Sequence, residues 1–172
     1  MANTPAAGQT AKKKRAKPPA PTWHELAKAS ADKELRWQRA RMRTQWLACG
    51  AGSGSGWDVV SVEPMAAGLD ALTAMGAGTR RGYWVIADHL RDRLYVAVPA
   101  GPGDLFQDID GVRLLSQGHQ LLIPSTCADT TISADWISHP RGSQPPILVD
   151  AARFAAHLRD ADTPTPQETP RP

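Results

Sequence analysis

The side chains best suited to hold a metal or attack a substrate are scattered along this chain. His24, Cys49, His89, His119, Cys127, His139 and His157 include no CxxC and no HxxxH pair, whereas a zinc site brings ligands at close spacing in at least one pair. No Gly-x-Ser-x-Gly elbow is present to expose a serine nucleophile. The run from Cys49 to Gly56, CGAGSGSG, lacks the Gly-Lys-Ser/Thr ending of a phosphate loop and precedes an expected strand instead of following one. Its composition is that of a flexible linker. The acidic pairs Asp108/Asp110 and Asp160/Asp162 fall in or near expected loops, where turn formation and solubility account for them.

Charge is the chemistry that remains. The 172 residues carry 20 Lys or Arg and 17 Asp or Glu, a net +3. Residues 1–46 hold 11 of the basic groups and three acids, a net +8, and residues 47–172 are therefore at −5. Lys12, Lys13, Lys14, Arg15 and Lys17 form a basic run, and Arg36, Arg39 and Arg43 are spaced i, i+3, i+7, which puts them on one face if the segment is helical. Trp37 lies one residue round from Arg36. Such an arm suits a phosphate backbone with bases stacking alongside; a solvated tail and a helix docking its tryptophans on a core account for it equally well. No run of about 18 apolar residues exists to span a membrane, and the polar, basic start is unlike a secretory signal. Two cysteines are too few for a disulfide scaffold, so a reducing cytoplasm is the expected compartment.

These residues need elements to position them. Residues 1–21 are expected to be a disordered basic tail and residues 163–172, with four prolines, a second one. Thr22-Trp23-His24-Glu25 is a capping box, and nothing as far as Leu47 breaks a helix, so residues 22–47 are expected to form an amphipathic basic helix. A linker over 48–56 follows, then one compact α+β domain over 57–162 with a mainly antiparallel sheet and few helices. Within it, strands are expected at 58–62, 83–87 and 94–98, the last two joined as a hairpin through 89–92. A short helix over 66–75 should close at Gly76 and Gly78. Residues 112–115 and 120–123 read as a second hairpin about Gln117-Gly118, Trp136-Ile137 as an edge strand, and Asp150 as the cap of a last helix through Leu158.

Three segments in order resemble the archaeo-eukaryotic primase superfamily, in its bifunctional DNA primase/polymerase N-terminal (prim-pol) branch. They are Asp58-Val-Val-Ser-Val-Glu63 followed by Gly68-Leu69 and Leu72, then Arg93-Leu-Tyr-Val-Ala-Val-Pro99-Ala-Gly101, then Gly111-Val-Arg-Leu-Leu-Ser-Gln-Gly118-His-Gln-Leu-Leu-Ile-Pro124-Ser-Thr126. Trp136 stands where the family often has an aromatic before a proline. The resemblance covers about residues 57–140 and is similar to short actinobacterial chains that carry the domain without its catalytic parts. It implies a primase-like fold and four site positions. The family's metal-binding Asp-x-Asp falls on Ser61-Val62-Glu63, its third Asp on Arg113, and its nucleotide-binding His on Arg93. Glu63 is then the one surviving metal carboxylate, and a lone carboxylate holds Mg²⁺ poorly. A shift of one residue would bring in Asp88, His89 or Asp110 instead.

The expected function is that of a catalytically inactive, nucleic-acid-associated binding module, reaching DNA or RNA through the basic arm. An adaptor for a protein partner on the same scaffold is the alternative, favoured by the acidic body. An active primase-polymerase is the weakest reading. No cofactor is expected; Mg²⁺ or Mn²⁺ would enter only with catalysis.

Overall fold

A computed structural model describes residues 18–31, 43–50, 56–139 and 147–162. The expected α+β class is found, with antiparallel strands and three α-helices among these residues. In chain order the elements are α1 (Trp23–Ala31), β1 (Thr44–Ala48), β2 (Trp57–Val62), α2 (Met65–Ala74), β3 (Val85–Asp88), β4 (Arg93–Pro99), β5 (Val112–Leu115), β6 (Gln120–Pro124), β7 (Asp135–Ser138) and α3 (Ala151–Asp162). A single 3₁₀ turn spans Gly103–Leu105. No described helix is long and apolar enough to cross a membrane.

Five strands form a sheet of order β5-β2-β4-β3-β7, every pairing antiparallel. Side chains alternate between its faces. Val60, Val62, Val85, Ala87, Leu94, Val96 and Val98 point to one face and bury against the three helices, with Trp23, Leu69, Leu72, Phe154 and Leu158. Val59, Ile86 and Trp57 point to the other, where β1 and β6 pair as a two-stranded ribbon and contribute Leu121 and Ile123. Trp57, Trp84 and Trp136 stack edge to face along this side at 5.3 and 5.8 Å.

Local signals decide the helix ends. Thr22 N–H donates to Glu25 Oε2 at 2.7 Å and Glu25 N–H to Thr22 Oγ1 at 3.1 Å, a reciprocal capping box. α2 closes on Gly76 at φ +70°, with Gly76 N–H bonded to Thr73 O and Ala77 N–H to Leu72 O. Those two bonds are the Schellman pattern, which needs a left-handed residue at this position. Asp150 caps α3 by accepting from Arg153 N–H. The β3–β4 hairpin forms as expected, its turn held by the Asp88 carboxylate, which accepts from Leu90 and Arg91 N–H.

Three expectations need correction. The helix over 22–47 is helical only over Trp23–Ala31 among the described residues, and its end, Thr44–Ala48, is strand β1. Nothing in that pentapeptide forbids a helix; pairing with β6 from Thr44↔Pro124 to Ala48↔Gln120 overrides the local preference. The tail over 1–21 is held in its last part, since Arg80 Nη2 donates to the carbonyls of Pro18 and Pro19 and Thr79 Oγ1 to that of Pro21. The hairpin expected between 112–115 and 120–123 does not form. β5 pairs with β2 and β6 with β1, so the turn at 116–119 passes the chain from one sheet to the other. The fold therefore begins before residue 57, with Trp23 only 2% exposed and its Nε1 donating to Ala77 O at 2.7 Å.

Candidate anion-binding pocket

The four positions implied by the prim-pol resemblance converge on one pocket. Ser61 lies near the end of β2, facing Tyr95 on β4 and Arg113 on β5 across the two ladders. Directly opposite residues project to the same face, so Ser61 and Arg113 share one. Glu63 follows β2, and its N–H is pinned by Gly111 O at 2.8 Å. Arg93 opens β4. Together with Gly111 and Val112 these four residues line a cavity of about 260 Å³. A cis Glu63–Pro64 peptide sits at its edge.

Gly111 shapes this cavity. Its φ is +68°, and a Cβ there would stand 1.9 Å from the Glu63 carbonyl oxygen. Only glycine lets the β5 entry approach β2 this closely. The Gly-Val-Arg run is thereby placed so that Arg113 reaches the pocket.

The electrostatics are those of two cations and one anion. Arg93 Nε donates to Glu63 Oε2 at 2.6 Å, both side chains being partly exposed. The Glu63 hydrogen bond raises the pKa of Arg93 further, with a smaller contribution from Tyr95. Burial, and then the charge of Asp88, pushes the Tyr95 hydroxyl up, so it stays protonated near neutral pH. Arg113 Nη2 lies 3.3 Å from His119 Nε2, while His119 Nδ1 is 3.1 Å from Ser116 O. A carbonyl only accepts, so Nδ1 carries the proton of that bond and Nε2 is left to accept from Arg113. His119 thus steadies Arg113 without cancelling its charge.

This arrangement can hold an anion better than a metal. The one carboxylate is engaged by Arg93, and Arg113 has no acidic partner among the described residues. Among the described residues no group of three or more His, Cys, Asp or Glu is placed to hold a metal ion. The shifted alignment brings no alternative acid: Asp88 is buried and spent on Leu90, Arg91 and the Arg91 guanidinium, and Asp110 does not line the pocket. His89 lies 3.8 Å from Asp135, away from the cavity.

Other expected contacts divide. Lys12, Lys13, Lys14, Arg15, Lys17, Arg36 and Arg39 lie outside the described residues. Arg43 is exposed just before β1, its carbonyl accepting from Ser125 N–H, so it occupies extended chain and not a helix face. The sequence offers His119 only as one of its scattered histidines; its contact with Arg113 comes from the turn, and its place directly after Gly118, six residues from Arg113, is the available signal. No family model, curated protein or solved structure matches the chain.

Proposed function

We propose that this protein is a non-catalytic, nucleic-acid-associated binding module on a primase-like scaffold. The observation that carries the reading is the composition of the pocket: Arg93 and Arg113 stand where the resemblance implies a nucleotide-binding histidine and a metal carboxylate, and the remaining carboxylate, Glu63, is paired with Arg93. Guanidinium groups bind phosphate oxygens directly and in fixed geometry. The basic run over 12–17 adds five cationic residues to the chain. Metal-dependent primase-polymerase chemistry has weaker support, because Mg²⁺ needs more than one hard ligand or a substrate phosphate.

The test is a salt-titrated binding isotherm with fluorescent single- and double-stranded DNA. The chain should be used whole or with only residues 1–17 removed, since Trp23 and β1 belong to the fold. Arg113→Gln should weaken binding and reduce the slope of log K against log salt by about 0.7 for single strands or about 0.9 for duplex, the value for one lost phosphate contact. Absence of binding by the whole chain at low salt would overturn the reading. The second reading, a protein adaptor, rests on exposed Trp46, at 66%, and Leu90, at 63%; it would then be tested by partner capture.

A further inference from the structure

The opposite end of β2 carries a second cavity with the reverse chemistry. It measures about 380 Å³, within the usual range for small-molecule sites. Asp58 lies in its wall and is 4% exposed. Among the described residues the one hydrogen bond to its side chain comes from Gly101 N–H to Oδ2 at 3.0 Å. Ser116 and Gln117 line the cavity beside it, and the remaining lining is Leu114, Ala100 and the backbone of glycines. Among the described residues no lysine, arginine or histidine lines it.

A carboxylate withdrawn this far from water is costly unless paired or well hydrogen-bonded. Among the described residues one neutral amide supplies that compensation. The charge of Asp58 is felt nearby: the buried Cys49 thiol is pushed up first by its burial and then by Asp58. Some of the backbone donors around the cavity are committed to the fold. Gly50 N–H donates to Trp57 O and Ala100 N–H to Gly56 O. Among the described residues the polar side chains that line the cavity are the Asp58 carboxylate, the Ser116 hydroxyl and the Gln117 carboxamide, and only the first carries a charge. An anion would meet the Asp58 charge with no cationic side chain among the described lining residues to offset it, and a donor-rich cation meets a carboxylate already withdrawn from water.

We infer that the Asp58 cavity is a binding site for a small organic cation bearing a guanidinium or primary ammonium group. The ion pair with Asp58 supplies the affinity, and the glycines of the wall leave room beside it for the ligand's chain. The site is independent of the arginine pocket, since Asp58 and Ser61 project to opposite faces of the sheet. The same cationic chemistry is offered by a free diamine-type metabolite and by an arginine side chain of a peptide.

The experiment is an amide-shift titration by ¹⁵N NMR of the whole chain with agmatine, and separately with N-acetyl-arginine amide. Saturable shifts confined to Gly101, Ala100, Gly103 and Ser116 are expected with agmatine. Tighter binding of the capped arginine at the same amides would assign the source to a peptide and keep the chemistry. Asp58→Asn retains an acceptor for Gly101 N–H but loses the charge, and should weaken agmatine about tenfold or more. A Cβ on Gly103 meets nothing within 4 Å, so Gly103→Val fits without displacing Asp58, and a bulkier residue in this wall should weaken agmatine. Folding of each variant is read from the dispersion of the same spectra. No saturable shifts with either probe at millimolar concentration, shifts centred on Arg93 and Arg113, or undiminished binding by a folded Asp58→Asn would each overturn the proposal.

Discussion

The two faces of the five-stranded sheet are built from the same strands and behave differently. The helix face is covered by three helices and is almost wholly aliphatic, with Val60, Val85, Leu94, Val96 and Val98 fully buried. The ribbon face is covered by two short strands, relies on tryptophans, and has partly buried residues such as Leu47, Leu122 and Tyr95 at its borders. Where the ribbon stops, Arg93 and Arg113 are left open to solvent beside buried Ser61. One face thus supplies most of the stability, with the Asp58 cavity at its edge, and the other leaves the arginine pocket open. The difference is a matter of coverage, because each strand sends alternate residues to both.

The sharpest test of this division uses two residues of one type. Trp23 is buried in the helix face with its indole N–H bonded to Ala77 O. Trp23→Ala should cost about 3–5 kcal/mol, the range for deleting a large buried aromatic, measured by urea unfolding. Trp46 is 66% exposed on the ribbon, and Trp46→Ala should stay within about 0.5 kcal/mol. Equal losses would show that the ribbon buries more than its geometry implies. Gly111→Ala comes next, at about 3 kcal/mol, combining a left-handed φ with a clash against the Glu63 carbonyl. It should also abolish the effect of Arg113 on DNA binding, because the β5 entry can no longer hold its approach to β2. Leu121→Ala, in the ribbon core, should cost about 2 kcal/mol, the lower end for leucine, since a thin and partly exposed layer can collapse on the space.

The helix face was also the more legible in sequence. The capping box at Thr22, the Gly76 closure and the Asp150 cap are local chemistry, and each helix start or end forms where that chemistry lies. The β3–β4 hairpin is equally local. The ribbon is not. Thr44–Ala48 has no helix breaker, and its partner β6 lies more than 70 residues further along the chain, beyond the reach of periodicity. Without β1, β6 has no partner, and adjacent β5 is the nearest candidate along the chain. The arginine pocket was legible as four positions through the resemblance, but the Arg93–Glu63 pair and the His119 contact depend on ladder register. Asp58 left a weaker trace, a single acid in the otherwise apolar run Trp57-Asp58-Val59-Val60, and strand register alone reveals the cavity around it.

The smallest effect belongs to the cap that begins the helix face. Thr22→Ala removes the acceptor for Glu25 N–H and should cost about 1 kcal/mol. It leaves Thr22 N–H donating to Glu25 Oε2, the largest cause of the lowered pKa of Glu25. A carboxylate held below its unfolded value stabilises the fold above that value and ceases to do so as pH falls through the folded one. The contribution of Glu25 should therefore be present at neutral pH and fade below about pH 4. Glu25→Gln should abolish this part of the pH dependence, whereas Thr22→Ala should keep most of it while lowering stability at every pH. Thermal unfolding of both variants between pH 3 and about 7 separates the two. If Thr22→Ala flattens the profile as fully as Glu25→Gln, the hydroxyl and not the backbone donor holds the carboxylate, and the anchoring of Trp23 in the helix face depends on a side-chain contact at its exposed rim.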